Sequence, residues 1–126
     1  MYAPIFTTLN ADAAVVALLQ AAGGQLRVYP AGEAPQEVVK PYLTYQQITG
    51  QPSNYMGQAP DVDQFGNQID VYGVTLDDVL KVGKAVRDAV EKVAYITAWL
   101  GTSREPDTRL YRLSFEVDWY TDRNTN

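Results

Sequence analysis

The strictest alternation of apolar and polar positions lies near the end of the chain. Tyr111, Leu113, Phe115, Val117 and Trp119 fall on one side, and Arg112, Ser114, Glu116 and Asp118 on the other. That period of two predicts a strand over residues 108–120, with one face on a core and one face wet or at an interface. A three- and four-residue rhythm takes over earlier: Leu76, Val79, Leu80, Gly83, Val86, Val90 and Val93 form one stripe of a helix running from Thr75 to about Ala94. Thr75 is a capping residue, and Asp78 stands three positions on, where a capping box places its acid. Asp78, Lys81, Lys84, Asp88, Glu91 and Lys92 occupy the opposite face, with Lys84 spaced to pair with Asp88 and Arg87 with Glu91.

A second helix is predicted to begin at Asn10-Ala11-Asp12, with Asn10 as N-cap and Asp12 suited to the positive end of the macrodipole. Ala13, Ala14, Val15, Val16, Ala17, Leu18, Leu19, Ala21 and Ala22 leave it almost no polar face, so it reads as buried on all sides, and Gly23-Gly24 is expected to end it. Residues 2–9, which include Pro4, read as extended. Strands are predicted over residues 25–29, 42–48, 68–74 and 95–100, with a loop at 31–41 and a polar turn at 101–107. Residues 50–66 are the least regular stretch, and part of it reads as an extension of its flanking strands into a long hairpin. Sequential strands joined by short turns favour an α+β fold: one domain over residues 1–126, a mostly antiparallel sheet with two helices packed on one face, and a frayed tail at 121–126.

Composition narrows the chemistry. The chain of 126 residues has no histidine and no cysteine. Disulfides, thiolate catalysis, Cys/His zinc sites, imidazole acid/base chemistry and a Ser-His-Asp triad all fall away. Fifteen acidic against ten basic residues give a net charge of −5, which disfavours general affinity for nucleic-acid phosphate. Asp61 and Asp63 lack the partners of a calcium loop, Gly23-Gly24 follows a helix where a phosphate loop precedes one, and no two carboxylates are spaced for a cleft. No catalytic, cofactor or metal residue is therefore assigned. The start of the chain lacks the basic stretch of a secretory leader, and the longest apolar run is too short to span a bilayer, so a soluble cytoplasmic protein is expected.

Two features point to protein contacts. Tyrosine occurs nine times, much of it on predicted strands (Tyr29, Tyr42, Tyr45, Tyr72, Tyr111, Tyr120). It offers broad contact area with one polar tip. The 50–66 loop carries Tyr55, Met56 and Phe65 among Gln and Asn, the pattern of a segment that orders on docking. Val15 and Leu18 of the apolar helix are further candidate contact residues.

Several phrases in order resemble a known family: Phe6-Thr7-Thr8-Leu9-Asn10-Ala11-Asp12-Ala13-Ala14-Val15, Arg27-Val28-Tyr29-Pro30, Lys40-Pro41-Tyr42-Leu43-Thr44-Tyr45-Gln46, Gln68-Ile69-Asp70-Val71-Tyr72-Gly73, Ala85-Val86-Arg87-Asp88-Ala89-Val90 and Asp107-Thr108-Arg109-Leu110-Tyr111-Arg112-Leu113-Ser114-Phe115. Together they resemble the tail-completion (tail terminator) proteins of long-tailed bacteriophages; residues 95–105 match no pattern of that family. The resemblance implies a virion protein assembled in the host cytoplasm, with no cofactor and no catalytic residue. Its members form a ring, commonly a hexamer, on the tail tube at the head–tail junction. Implied partners are copies of itself, the tail tube protein and neck or connector proteins. Genomic DNA would pass through the lumen without specific binding, past Asp61 and Asp63 if their loop turns inward. Three alternatives stay open: a connector or stopper of the phage neck, a cellular module binding peptides at a sheet edge, and a small enzyme using carboxylates alone.

Overall fold

A computed structural model describes residues 2–52 and 62–122. Its elements are α1 (Ile5–Asn10), α2 (Ala13–Leu19), β1 (Val28–Pro30), β2 (Tyr42–Pro52), β3 (Val62–Gly73), α3 (Leu76–Val90), β4 (Tyr95–Arg104) and β5 (Tyr111–Asp122). The strands form one sheet in the order β1-β2-β3-β5-β4. All neighbours are antiparallel except β1 and β2. This is the expected α+β class, with three helices in place of two.

The extra helix is α1, where an extended segment was expected. Ile5 and Leu9, one turn apart, are 1% and 0% exposed, so tertiary burial overrides the β-branched Thr7-Thr8 pair. Thr8 Oγ1 donates to the Pro4 carbonyl at 2.7 Å. The cap of α2 is Asp12 and not Asn10: Asp12 is extended and accepts from the Val15 amide at 3.1 Å, while Asn10 closes α1. The helix ends at Leu19, four residues before the glycine pair, because Arg27 takes its last carbonyls. The Arg27 guanidinium donates to Leu18 O, Gln20 O and Pro41 O at 3.0, 2.9 and 2.8 Å. Gly24, at φ 88°, then turns the chain back into a bridge between Gln20 and Leu26. Burial on all sides is not what α2 has, since Ala13, Ala14 and Ala17 are exposed.

The core lies between the helices and one face of the sheet. Leu43, Ile69, Val71, Phe115 and Val117 meet Ile5, Leu9, Val15, Leu19, Val79, Val82 and Val86, all at 1% exposure or less. The α3 stripe is rotated slightly from its expected setting. Val82 and Ala89 are buried, whereas Leu76 and Leu80 are 42% and 48% exposed; the helix ends at Val90, short of the expected Ala94, and leaves Val93 beyond it at 56%. The alternation expected of β5 is present, and its strand runs on through Thr121 and Asp122, which pair with Asp63 and Val62, so those two residues are not frayed.

The hairpin of β2 and β3 is longer than its predicted strands. Pairing continues to Pro52 and Asp63, past a bulge at Ile48. Two bulges in β4, between Ile96 and Ala98 and between Trp99 and Gly101, break its alternation. The strand expected at 95–100 therefore runs to Arg104 without a regular two-residue period, because each extra residue flips the faces that follow.

Candidate interaction surface

Helices cover one face of the sheet, and among the described residues no helix covers the other. Register places Tyr42 opposite Tyr72 and Tyr72 opposite Arg112, so one row of side chains crosses three strands, and Tyr29 on β1 lengthens it. The Tyr42 and Tyr72 rings stack at 4.9 Å, Tyr29 lies 6.5 Å from Tyr42, and the Arg112 guanidinium sits 5.9 Å from the Tyr72 ring centre. All four side chains are half-buried. Burial first, and then neighbouring charge, raises the phenol pKa of Tyr42 and Tyr72.

Beside the row, Asp70 anchors a polar knot. It is 5% exposed and accepts from Ser114 Oγ at 2.5 Å, from Arg112 at 3.2 and 3.3 Å, and from Gln68 at 3.1 and 3.3 Å. Burial pulls the Arg112 guanidinium pKa down, but Asp70, Tyr72 and Glu105 together outweigh it and the net shift is upward. A second chain of bonds ties the hairpin end together: Gln51 donates to Gln64 at 3.2 Å, and Gln64 to Asp118 at 3.0 Å. Aromatics and satisfied polar groups on this sheet face are held in place by their neighbours, so few of their rotamers would remain to be frozen by a docking partner.

The sheet's two edges differ. On the β1 side, only residues 43–45 of β2 are paired, and among the described residues no strand covers 46–52. On the other side β4 is the edge, and it presents Tyr95, Trp99 and Leu100 at 65%, 53% and 51% exposure. Trp99 leans on Phe115 at 5.1 Å, and Tyr95 meets Tyr120 edge-on at 5.9 Å.

The residues singled out in the sequence distribute unevenly over this surface. Tyr55, Met56 and Asp61 lie outside the described residues. Phe65 is a correction: it is 5% exposed and paired across the core face with Trp119, so it cannot be a docking residue. Val15 is likewise core at 0%, and Leu18 is half-buried against the core. Asp63 is half-buried in β3 opposite Pro52 and Thr121. The features of this surface that the sequence did not reveal are the exposed Trp99 and Leu100, hidden by the bulges, and the Asp70–Ser114–Arg112 knot. The knot has no local signal in the sequence, because Asp70 and Arg112 meet only through the pairing of β3 with β5.

Among the described residues, no three His, Cys, Asp or Glu side chains gather to hold a metal ion, and no helix is long and apolar enough to cross a membrane.

The family described as Tail completion protein gp17 matches residues 3–122. No curated protein sequence matches. Among solved structures, a chain from "Virion of native gene transfer agent (GTA) particle" superposes with a TM-score of 0.64 at 17% identity, covering 94% of this chain and 91% of that one.

Proposed function

This chain belongs to the tail completion protein gp17 family and is a structural virion protein, and from that premise we propose that it closes the tail tube at the head–tail junction as a homo-oligomeric ring, a hexamer. The observation that carries this reading is the pair of dissimilar open edges on one sheet. A ring needs heterologous contacts, with two different patches on each subunit. The β1 side of the sheet, with the uncharged 46–52 stretch of β2 beyond β1, and the aromatic β4 edge lie on opposite sides of the sheet, where successive subunits would meet. The open tyrosine face then remains for the tube or the neck.

Passage of DNA suits the charge. A subunit of net charge −5 offers few cations to release counterions from phosphate. Register brings Asp63, Asp118 and Asp122 to the hairpin end of the sheet, and we place this end toward the lumen. A stopper role on the head side of the neck is the second reading, favoured by the same open face. Negative-stain imaging separates the two. The purified chain mixed with uncapped tail tubes should add a terminal ring, and mixed with filled heads it should add nothing. Density on heads and not on tubes reverses the assignment.

A further inference from the structure

Two exposed tyrosines stand together on the sheet face that no described helix covers. Tyr95 of β4 lies opposite Asp118 of β5 in register, and Tyr120 follows Asp118 two residues along the same face. Their rings meet edge-on at 5.9 Å and 84°, which makes a right-angled corner. With Val93, Thr97 and Asp118 they line a cleft of about 530 Å³. Asp118 is half-buried there. Gln64 donates to its Oδ2 at 3.0 Å and fixes the carboxylate, while no described residue donates to the other oxygen. We propose that this cleft is a binding site for a protonated aliphatic amine.

Charge and shape together select that ligand. No Lys or Arg lines the cleft, and among the described residues none pairs with Asp118 or with Glu116, two positions away on the same strand face. A carboxylate without a counter-cation, set beside the negative faces of two rings, attracts a cation. The donor set does not suit a metal ion, since among the described residues no three His, Cys, Asp or Glu side chains gather. A guanidinium lies flat on one ring and takes a forked pair of acceptors, whereas here one oxygen stands between two perpendicular rings. The compact ammonium fits that corner, and its apolar stem rests on Val93 and the ring carbons. Glu116 lies about 7 Å from Asp118 along the strand, within reach of a second ammonium on the same stem. The ring contact proposed above runs instead along the outer edge of β4 and Trp99, which register pairs with Phe115 on the helix side.

The test uses the full chain with ¹³C-labelled tyrosine rings. Titration with 1,5-diaminopentane to millimolar concentration should shift the Tyr95 and Tyr120 resonances together. The uncharged isostere 1,5-pentanediol and magnesium chloride should not. Asp118→Asn, which keeps the shape and the acceptor for Gln64, should weaken binding about tenfold. Tyr120→Leu, at an exposed position, should weaken it about threefold, the worth of one exposed ring face. The remaining tyrosine rings report that each variant keeps its fold. Nα-acetyl-lysine amide, titrated in parallel, identifies the source of the amine. Tighter binding of the diamine, lost in Glu116→Gln, assigns the site to a free diamine; equal binding, indifferent to Glu116→Gln, assigns it to a lysine side chain of another protein chain. The proposal fails if no amine moves the two rings, if the diol or magnesium moves them as well, or if both Asp118→Asn and Tyr120→Leu bind like the natural chain. Negative stain of the natural chain reads ring closure separately. Rings without amine binding refute this site alone, and amine binding without rings refutes the capping reading alone.

Discussion

A Cβ built on Gly83 would overlap Leu113 Cδ2, so helix α3 rests directly on β5 at its one glycine. Gly83→Ala therefore sets two effects against each other. Helix propensity gains about 1 kcal/mol, and overpacking of a rigid core costs about 1–3 kcal/mol. Urea unfolding should show Gly83→Ala as destabilising in the natural background and stabilising in a Leu113→Ala background. The same sign in both backgrounds would mean that α3 does not sit on β5 at this point.

Arg27 ties the end of α2 to the start of β2 through Leu18, Gln20 and Pro41. Arg27→Ala should cost about 2 kcal/mol, since hydrogen bonds from a charged donor to helix-terminal carbonyls exceed neutral ones. Arg27→Lys should recover only part of it, because a point charge cannot reach three carbonyls in separate directions. Thermal melts of the two variants check the order.

The Asp70 knot predicts asymmetric effects. Removing Arg112 leaves a carboxylate that is 5% exposed without its cation, whereas Ser114 and Gln68 still donate to it. Arg112→Ala should destabilise by about 1–3 kcal/mol, discounted from a fully buried pair because the guanidinium is part exposed. Asp70→Asn with Arg112→Gln together should cost less than the two single changes summed. A double-mutant cycle in urea measures the coupling.

Tyr42, Tyr45 and Tyr72 have pKa values raised by burial above the ordinary 10.0. For a group whose folded pKa is raised, the folded state holds more protons in the window above the unfolded value. Its stabilising contribution is complete below pH 10.0 and is lost as pH rises through the folded pKa. Stability should therefore fall in that alkaline window, and Tyr72→Phe should make the fall shallower. Tyrosinate absorbance should rise later in the folded chain than in urea.

Trp99 is 53% exposed and Trp119 is 3% exposed, which makes Trp99 the reporter of any contact along β4. If rings close through this edge, tryptophan emission should move to the blue on assembly, and Trp99→Phe should abolish the shift. Assembly with unchanged emission would take β4 out of the ring contact.

The long-period patterns were readable without any structure. The alternation of β5 and the cap and stripe of α3 depend on neighbours within a few residues, which is why sequence alone placed them and, from them, the α+β class. The phrases around Arg27, Tyr42, Asp70 and Tyr111 likewise carried the family. Tertiary structure decided the rest, because it turned on partners distant in sequence. Residues 5–10 became helical only because the core had room for Ile5 and Leu9, and α2 stopped where Arg27 reached its carbonyls. Phe65 left the loop for the core once β3 extended to face Trp119, and the two bulges turned Trp99 and Leu100 into an exposed edge. Local pattern fixes which residues can share a face; only the packed sheet decides which face is covered.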